Sequence, residues 1–131
     1  MLPFRAGARL RLRGLERSHA ATRRAAAALG ADLGCAISAE AFVTPSRAGR
    51  LPMQTDSSLL LLQLRGSQRW QLGDAHGAAP VGESREDIFV GAGDVLYLPG
   101  GAVHAAEALD EQSLHVALYL DSAQVSWIAI V

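Results

Sequence analysis

The sequence has little cysteine and lacks long apolar runs. Cys35 is the only cysteine in 131 residues, so an intramolecular disulfide is impossible and a cysteine-rich zinc site is excluded. No uninterrupted apolar stretch approaches the roughly 18 to 20 residues that a membrane-spanning helix requires. These absences predict a protein without membrane association that works in the reducing environment of the cytoplasm.

Lysine is absent as well. All twelve basic residues are arginines, a bias typical of a GC-rich bacterial gene. They are balanced by 13 acidic residues, and the net charge of −1 removes any global electrostatic reason to bind nucleic acid. The length suits a single domain, residues 1–131, with a substantial hydrophobic core.

Residues 1–34 are predicted to form a strand and a helix that lead into the main part of the domain. The arginines at positions 9, 11 and 13 alternate with Leu10 and Leu12, which predicts a strand with buried leucines and a solvated arginine face. Ser18 is the predicted N-cap of an alanine-rich helix over 19–29, and Gly30 is placed to end that helix.

Residues 35–121 carry repeated strand signals. Apolar and polar residues alternate over 35–43, and the strand is stopped by a turn at Pro45. Between Gly93 and His104, glycines and Pro99 separate two short apolar runs, which predicts a strand, a tight turn and a second strand. Asp94 directly follows a glycine, where its carboxylate is expected to accept a nearby backbone N–H. The strand after this turn is therefore predicted to place His104 near the mouth of a β-structure.

The run from Gly93 to His104 reads Gly-Asp-Val-Leu-Tyr-Leu-Pro-Gly-Gly-Ala-Val-His. It resembles the Gly-Asp-x-Leu-Tyr-x-Pro-x-Gly-x-x-His run of the cupin and JmjC group of Fe(II) and 2-oxoglutarate oxygenases, particularly the ribosomal-oxygenase-like branch. The resemblance implies a mainly β fold, a double-stranded β-helix (the cupin or jelly-roll barrel) over 35–121, with the N-terminal helix against its outside. It also implies that His104 stands at the position of the distal iron ligand.

The first half of the family's site departs from the pattern. Relatives carry a Pro-His-x-Asp run, followed by Gln-x-x-Gly-x-Lys/Arg-x-Trp. When this sequence is aligned on its own Gln, Gly and Trp, the histidine position is Met53, the aspartate position is Thr55 and the basic position is Gln68. A facial triad of two histidines and a carboxylate is what leaves three iron positions open, and an amide cannot form the ion pair with 2-oxoglutarate. No metal and no cofactor are therefore expected.

One alternative keeps the chemistry of the family. A one-residue bulge would place Gln54 and Asp56 at the ligand positions, so that Asp56 and His104 hold Fe(II) and 2-oxoglutarate binds beside it. Such a slip also exchanges the two faces of the strand, which would disturb the burial of the following four leucines.

The barrel mouth is the candidate pocket, and its composition favours an uncharged ligand. The residues expected to line it are Met53, Thr55, Gln68, Tyr97 and His104. His104 and His115 are the candidate catalytic groups, although a core histidine is the simpler interpretation of His115.

Three functions remain open. The first is a non-redox binding or accessory protein for a neutral small molecule or a peptide, and the second is a cofactor-independent enzyme of bacterial specialised metabolism. The third is an Fe(II) and 2-oxoglutarate-dependent hydroxylase with displaced ligands. The apolar tail, residues 122–131, predicts a homodimer or heteromer in which a partner covers it.

Overall fold

The computed structural model describes residues 7–48, 53–73, 87–109 and 111–121. These residues form two helices and nine strands. The elements in chain order are β1 (Leu10–Arg13), α1 (Leu15–Ser18), α2 (Ala20–Leu33), β2 (Ile37–Thr44), β3 (Met53–Gln54), β4 (Ser58–Arg65), β5 (Ser67–Leu72), β6 (Asp87–Gly91), β7 (Val95–Leu98), β8 (Val103–Ala108) and β9 (Ser113–Leu120). The tail at 122–131, with its predicted partner contact, lies outside the described residues.

The strands form two antiparallel sheets. One has the order β1-β2-β9-β4-β7 and the other the order β3-β8-β5-β6. The mainly β architecture agrees with the expectation from the sequence. Neither helix of the described residues is long and apolar enough to cross a membrane.

The three central strands of the larger sheet, β2, β9 and β4, divide their side chains between two apolar clusters. In β4, Leu59 and Leu61 face the interior between the sheets, where they pack with Trp70, Val90 and Leu98. The alternate residues of the same strand, at 60 and 62, pack instead against the cluster on the helix side of the sheet. Because the side chains of a strand alternate with period two, an uninterrupted leucine run is buried on both faces.

The helical layer differs from the sequence prediction at both ends. His19, not Ser18, is the N-cap of α2, and its imidazole Nδ1 accepts a hydrogen bond from the Thr22 N–H at 3.3 Å. The helix also continues through Gly30 to Leu33. The glycine at position 30 has a packing role, because a Cβ there would lie 2.7 Å from the Cys35 carbonyl oxygen.

The prediction that β1 buries its leucines was wrong, because all four residues of the strand are exposed. Leu10 and Leu12 are 48% and 47% exposed. The Arg11 guanidinium instead bonds the Glu40 carboxylate at 2.7 Å and lies 5.5 Å from the centre of the Phe42 ring. Strand β1 is at the edge of its sheet, and alternation alone does not say which face turns inward; here the carboxylate of β2 attracts the arginine side.

Leu12→Ser is therefore expected to be a mild substitution. Because nearly half of the leucine is already exposed, the unfolding free energy should fall by about 1 kcal/mol or less, not by the roughly 2 to 5 kcal/mol typical of emptying a core leucine site. Urea denaturation of both proteins measures the difference. A loss at the core level would mean that another surface covers Leu12.

Candidate functional site

A cavity lies in the interior between the two sheets. Its volume is about 60 Å³, several times what one water molecule needs, so it has room for a small organic group. Most of the wall is apolar. The polar side chains that line it are Arg9, Thr44, Gln68, His104, His115 and Tyr119.

His104 reaches the wall through the turn between β7 and β8. Gly93, before β7, has φ +97°, and the Asp94 carboxylate accepts the Gly91 N–H at 2.8 Å, as the sequence predicted. His104 is the second residue of β8 and stands directly opposite Met53 of β3. Its ring is buried, and its centre lies 5.5 Å from that of Trp70.

His115 enters the same cavity from β9 in the other sheet. Its ring stacks on Phe42 with the centres 4.9 Å apart and meets the edge of Trp70 at 5.8 Å. Burial, with a smaller contribution from His104, lowers the pKa of His115 to about 4. Burial also lowers the pKa of His104, although the Ala102 carbonyl opposes that shift. Both imidazoles are therefore neutral at pH 7.

Gln68 is the residue that the motif alignment predicts at the basic position of the family. It is buried, and its Oε1 accepts the indole N–H of Trp70 at 3.0 Å. The neighbouring Arg69 belongs to the opposite face of β5, where its guanidinium lies 2.6 Å from the Glu107 carboxylate. Its charge is thus neutralised away from the cavity.

Tyr119 adds a neutral hydroxyl to the wall. Burial and then the nearby Glu40 carboxylate raise the pKa of Tyr119 to about 12. The cavity residue that carries a positive charge is Arg9, whose Nη2 lies 3.5 Å from the Ala106 carbonyl oxygen. The sequence interpretation placed this arginine on a solvated face and missed it as a wall residue; its shared parity with Arg11 is the signal that links the two.

The structure brings together four of the residues singled out from the sequence: Met53, Gln68, His104 and His115. Thr55 and Tyr97 do not line this cavity. Thr55 lies in the turn after β3 and donates its hydroxyl to the Ser57 carbonyl at 3.0 Å. Tyr97 is 54% exposed, because Leu96 and Leu98 take the inward side of the short strand β7.

The two residues of β3 show no register shift. Met53 pairs with His104 and Gln54 pairs with Val103, which is the ungapped register. Asp56 is exposed and is not part of the cavity wall. The Gln54 side chain donates to the Gly101 carbonyl at 2.8 Å and does not turn inward.

The described residues do not fit an Fe(II) facial triad. The wall offers two imidazoles and the Met53 thioether, but no carboxylate among the residues that the structure places there. Nor does this part of the chain contain a group of three His, Cys, Asp or Glu side chains arranged to hold a metal ion. Fe(II) in such oxygenases requires the carboxylate as well as the histidines.

Comparison with known proteins identifies the family. A family model described as "JmjC domain" matches residues 19–127. The chain belongs to the JmjC domain family. This agrees with the resemblance that the hairpin motif carries, and all the residues that line the cavity, except Arg9, lie within the matched range.

Individual relatives of this JmjC domain are larger proteins. The bifunctional lysine-specific demethylase and histidyl-hydroxylase NO66 of Dictyostelium discoideum is 33% identical over 98 residues, which are 63% of this chain and 19% of that protein. The ribosomal oxygenase YcfD of Escherichia coli superposes with a TM-score of 0.71 at 22% identity, over 86% of this chain and 31% of that chain. The chain thus spans a minor part of both.

A smaller neighbour supports the fold. An RmlC-like cupin family protein with a double-stranded β-helix fold, from Methanocaldococcus jannaschii, matches with a TM-score of 0.52 at 13% identity. The alignment covers 64% of this chain and 69% of that chain. The predicted double-stranded β-helix with an N-terminal helix is confirmed.

Proposed function

We propose that this JmjC domain binds a small uncharged molecule, or an uncharged side chain of a peptide, in the barrel cavity and does not turn over 2-oxoglutarate. The observation that carries the proposal is the Gln68–Trp70 hydrogen bond. A neutral amide, Gln68, stands where a cation would bind the carboxylate of the co-substrate, and its oxygen already accepts a hydrogen bond from Trp70. Met53, opposite His104, replaces the nitrogen ligand of the first strand by a thioether.

The electrostatics of the wall support a neutral ligand. Both histidines are uncharged at pH 7, and Tyr119 keeps its proton far above that pH. A dicarboxylate transferred from water into this mostly apolar site would lose its hydration, and the single cation of the described wall, Arg9, could pair with only one of its two carboxylates, so the transfer is costly. An uncharged molecule with a few hydrogen-bonding groups bears no such cost.

The test is a thermal-shift series with Mn(II), with 2-oxoglutarate and with both, together with a succinate-release assay in the presence of Fe(II). We expect no rise in melting temperature and no succinate. A bound ligand at a hundred times its dissociation constant would stabilise the fold by about 2.7 kcal/mol, or several degrees, so the assay is sensitive enough. Succinate formation that Asp56→Ala abolishes would overturn the proposal in favour of displaced iron ligands.

A second candidate function uses the same cavity for cofactor-independent acid–base catalysis. The observation in its favour is that His104 and His115 are both buried, both neutral and part of one wall. A neutral imidazole can accept a proton from a bound molecule. Proton–deuterium exchange on a bound ligand, followed by NMR and lost in His104→Gln, would distinguish catalysis from binding alone.

A further inference from the structure

The hydrogen-bonding direction of His104 is fixed by its backbone neighbour. Its Nδ1 lies 3.3 Å from the Ala102 carbonyl oxygen. A carbonyl oxygen only accepts, so Nδ1 carries the ring proton. The other ring nitrogen, Nε2, then holds a lone pair. His104 therefore contributes an acceptor to the cavity that it lines.

The ring proton of His115 is assigned to the other nitrogen, Nε2, by its surroundings. Its Nδ1 is fully buried and has no hydrogen-bond partner among the described residues. A proton on that nitrogen would create an orphaned buried N–H, which proteins avoid more strictly than an under-used acceptor. The proton of the neutral ring is therefore placed on Nε2, and His115 contributes a donor.

Gln68 supplies a second donor. Its amide oxygen is the group that accepts the Trp70 indole N–H, so the orientation of the amide is determined and its NH₂ forms the other end. The side chain is 1% exposed and lines the cavity together with both histidines. These three side chains thus give the wall two uncharged donors and one uncharged acceptor, in addition to the polar groups of Arg9, Thr44 and Tyr119.

We propose that the cavity selects an uncharged amide group. Its carbonyl oxygen accepts from His115 and Gln68, and its N–H donates to His104. This inference rests on the proposed binding function and names the chemical class of its ligand. The volume of about 60 Å³ suits a short amide or the amide end of a side chain.

The same wall disfavours near neighbours of an amide. A ketone of equal size accepts from the two donors but leaves the His104 lone pair without a proton. A carboxylate places a second negative oxygen against that lone pair. A site built around a hydrogen-bonding group loses affinity for analogues that lack the group, because its own polar atoms stay unpaired.

The experiment uses the full chain labelled with ¹⁵N-histidine. Long-range proton–nitrogen spectra report which ring nitrogen is protonated, and we expect Nδ1–H for His104 and Nε2–H for His115. Titrations with propionamide, butanone and propionate, three molecules of similar size, then measure selectivity. Propionamide should bind, butanone about tenfold more weakly, and propionate without saturation.

The outcomes separate the two proposals. Equal affinity for butanone, tighter binding of propionate or reversed tautomers would overturn the amide inference while leaving a binding cavity. Propionate is the critical competitor, since Arg9 is the cation on the wall. If none of the three molecules perturbs either histidine, the proposed binding function fails with the inference. His104→Phe keeps an aromatic ring beside Trp70, and it should reduce propionamide to the affinity of butanone.

Discussion

Gly66→Ala is expected to lower the unfolding free energy by about 3 kcal/mol or more. Gly66 has φ +72°, and a Cβ at this position would lie 2.5 Å from the Gln112 carbonyl oxygen and 3.1 Å from the Ser113 Cα. The left-handed backbone costs an alanine about 1 to 2 kcal/mol, and the clash with backbone atoms adds about 1 to 3 kcal/mol. The buried Gln63 amide holds the same turn by donating to the Arg65 carbonyl and the Ser113 hydroxyl, each at 2.8 Å.

Gly93→Ala is the matched control for this prediction. Gly93 has φ +97°, but no atom lies within 4 Å of the position that its Cβ would take. The Gly93→Ala variant should therefore lose only the cost of the left-handed backbone, which lowers the unfolding free energy by about 1 to 2 kcal/mol. Urea denaturation of both variants gives the difference, which isolates the contact with the Gln112 backbone. Equal losses would show that the chain near Gly66 moves aside without cost.

The second large effect is a loss of stability in mild acid. His115 has an ordinary pKa near 6.5 in the unfolded chain, and burial lowers it to about 4 in the folded protein. Between these values the unfolded chain binds a proton that the folded protein excludes. The contribution of the neutral His115 to the unfolding free energy is therefore fully present above pH 6.5. It falls by about 3 kcal/mol as the pH drops to 4. The lowered pKa of His104 acts in the same direction.

His115→Phe tests this assignment. A phenyl ring can keep the stack on Phe42 and the edge contact with Trp70, but it has no proton to bind. The variant should lose stability less steeply than the natural protein between pH 6.5 and 4, and the unfolding free energy of both proteins at several pH values measures the two slopes. Groups that do not interact with His115 titrate equally in both proteins and cancel in the comparison; His104, which interacts with His115, is the exception. Parallel curves would mean that His115 does not resist protonation.

The sequence predicts the architecture better than it predicts the wall of the site. The hairpin ending at His104 has glycines, a proline and a short carboxylate at the positions that its turn requires, so local chemistry is sufficient. The prediction of the helix cap fails because Ser18 is the last residue of α1, where its hydroxyl donates to the Gly14 carbonyl, and the imidazole of His19 caps α2 instead. In β1, alternation gives two faces without stating which one is inward.

The site itself depends on pairing between distant strands. Met53 meets His104 only through the register of β3 against β8. His115 joins them from the other sheet, and no local sequence pattern predicts that these three residues lie together. Tyr97 was misplaced although its own strand contained the answer, since the leucines on either side of it turn inward. Arg9 was missed because a carboxylate on another strand determines which side of β1 turns inward.

The position of β9 has a consequence for how the chain folds. It is the last described strand, yet it lies at the centre of its sheet and pairs with β2 on one side and β4 on the other. The sheet cannot close until residues 113–120 have left the ribosome. Until then the leucines at 59–62 have no partner strand on that side. Pairings between strands far apart in sequence form slowly and leave apolar segments exposed in the growing chain. The sheet of the nascent domain is therefore expected to form cooperatively, only after β9 has been synthesised.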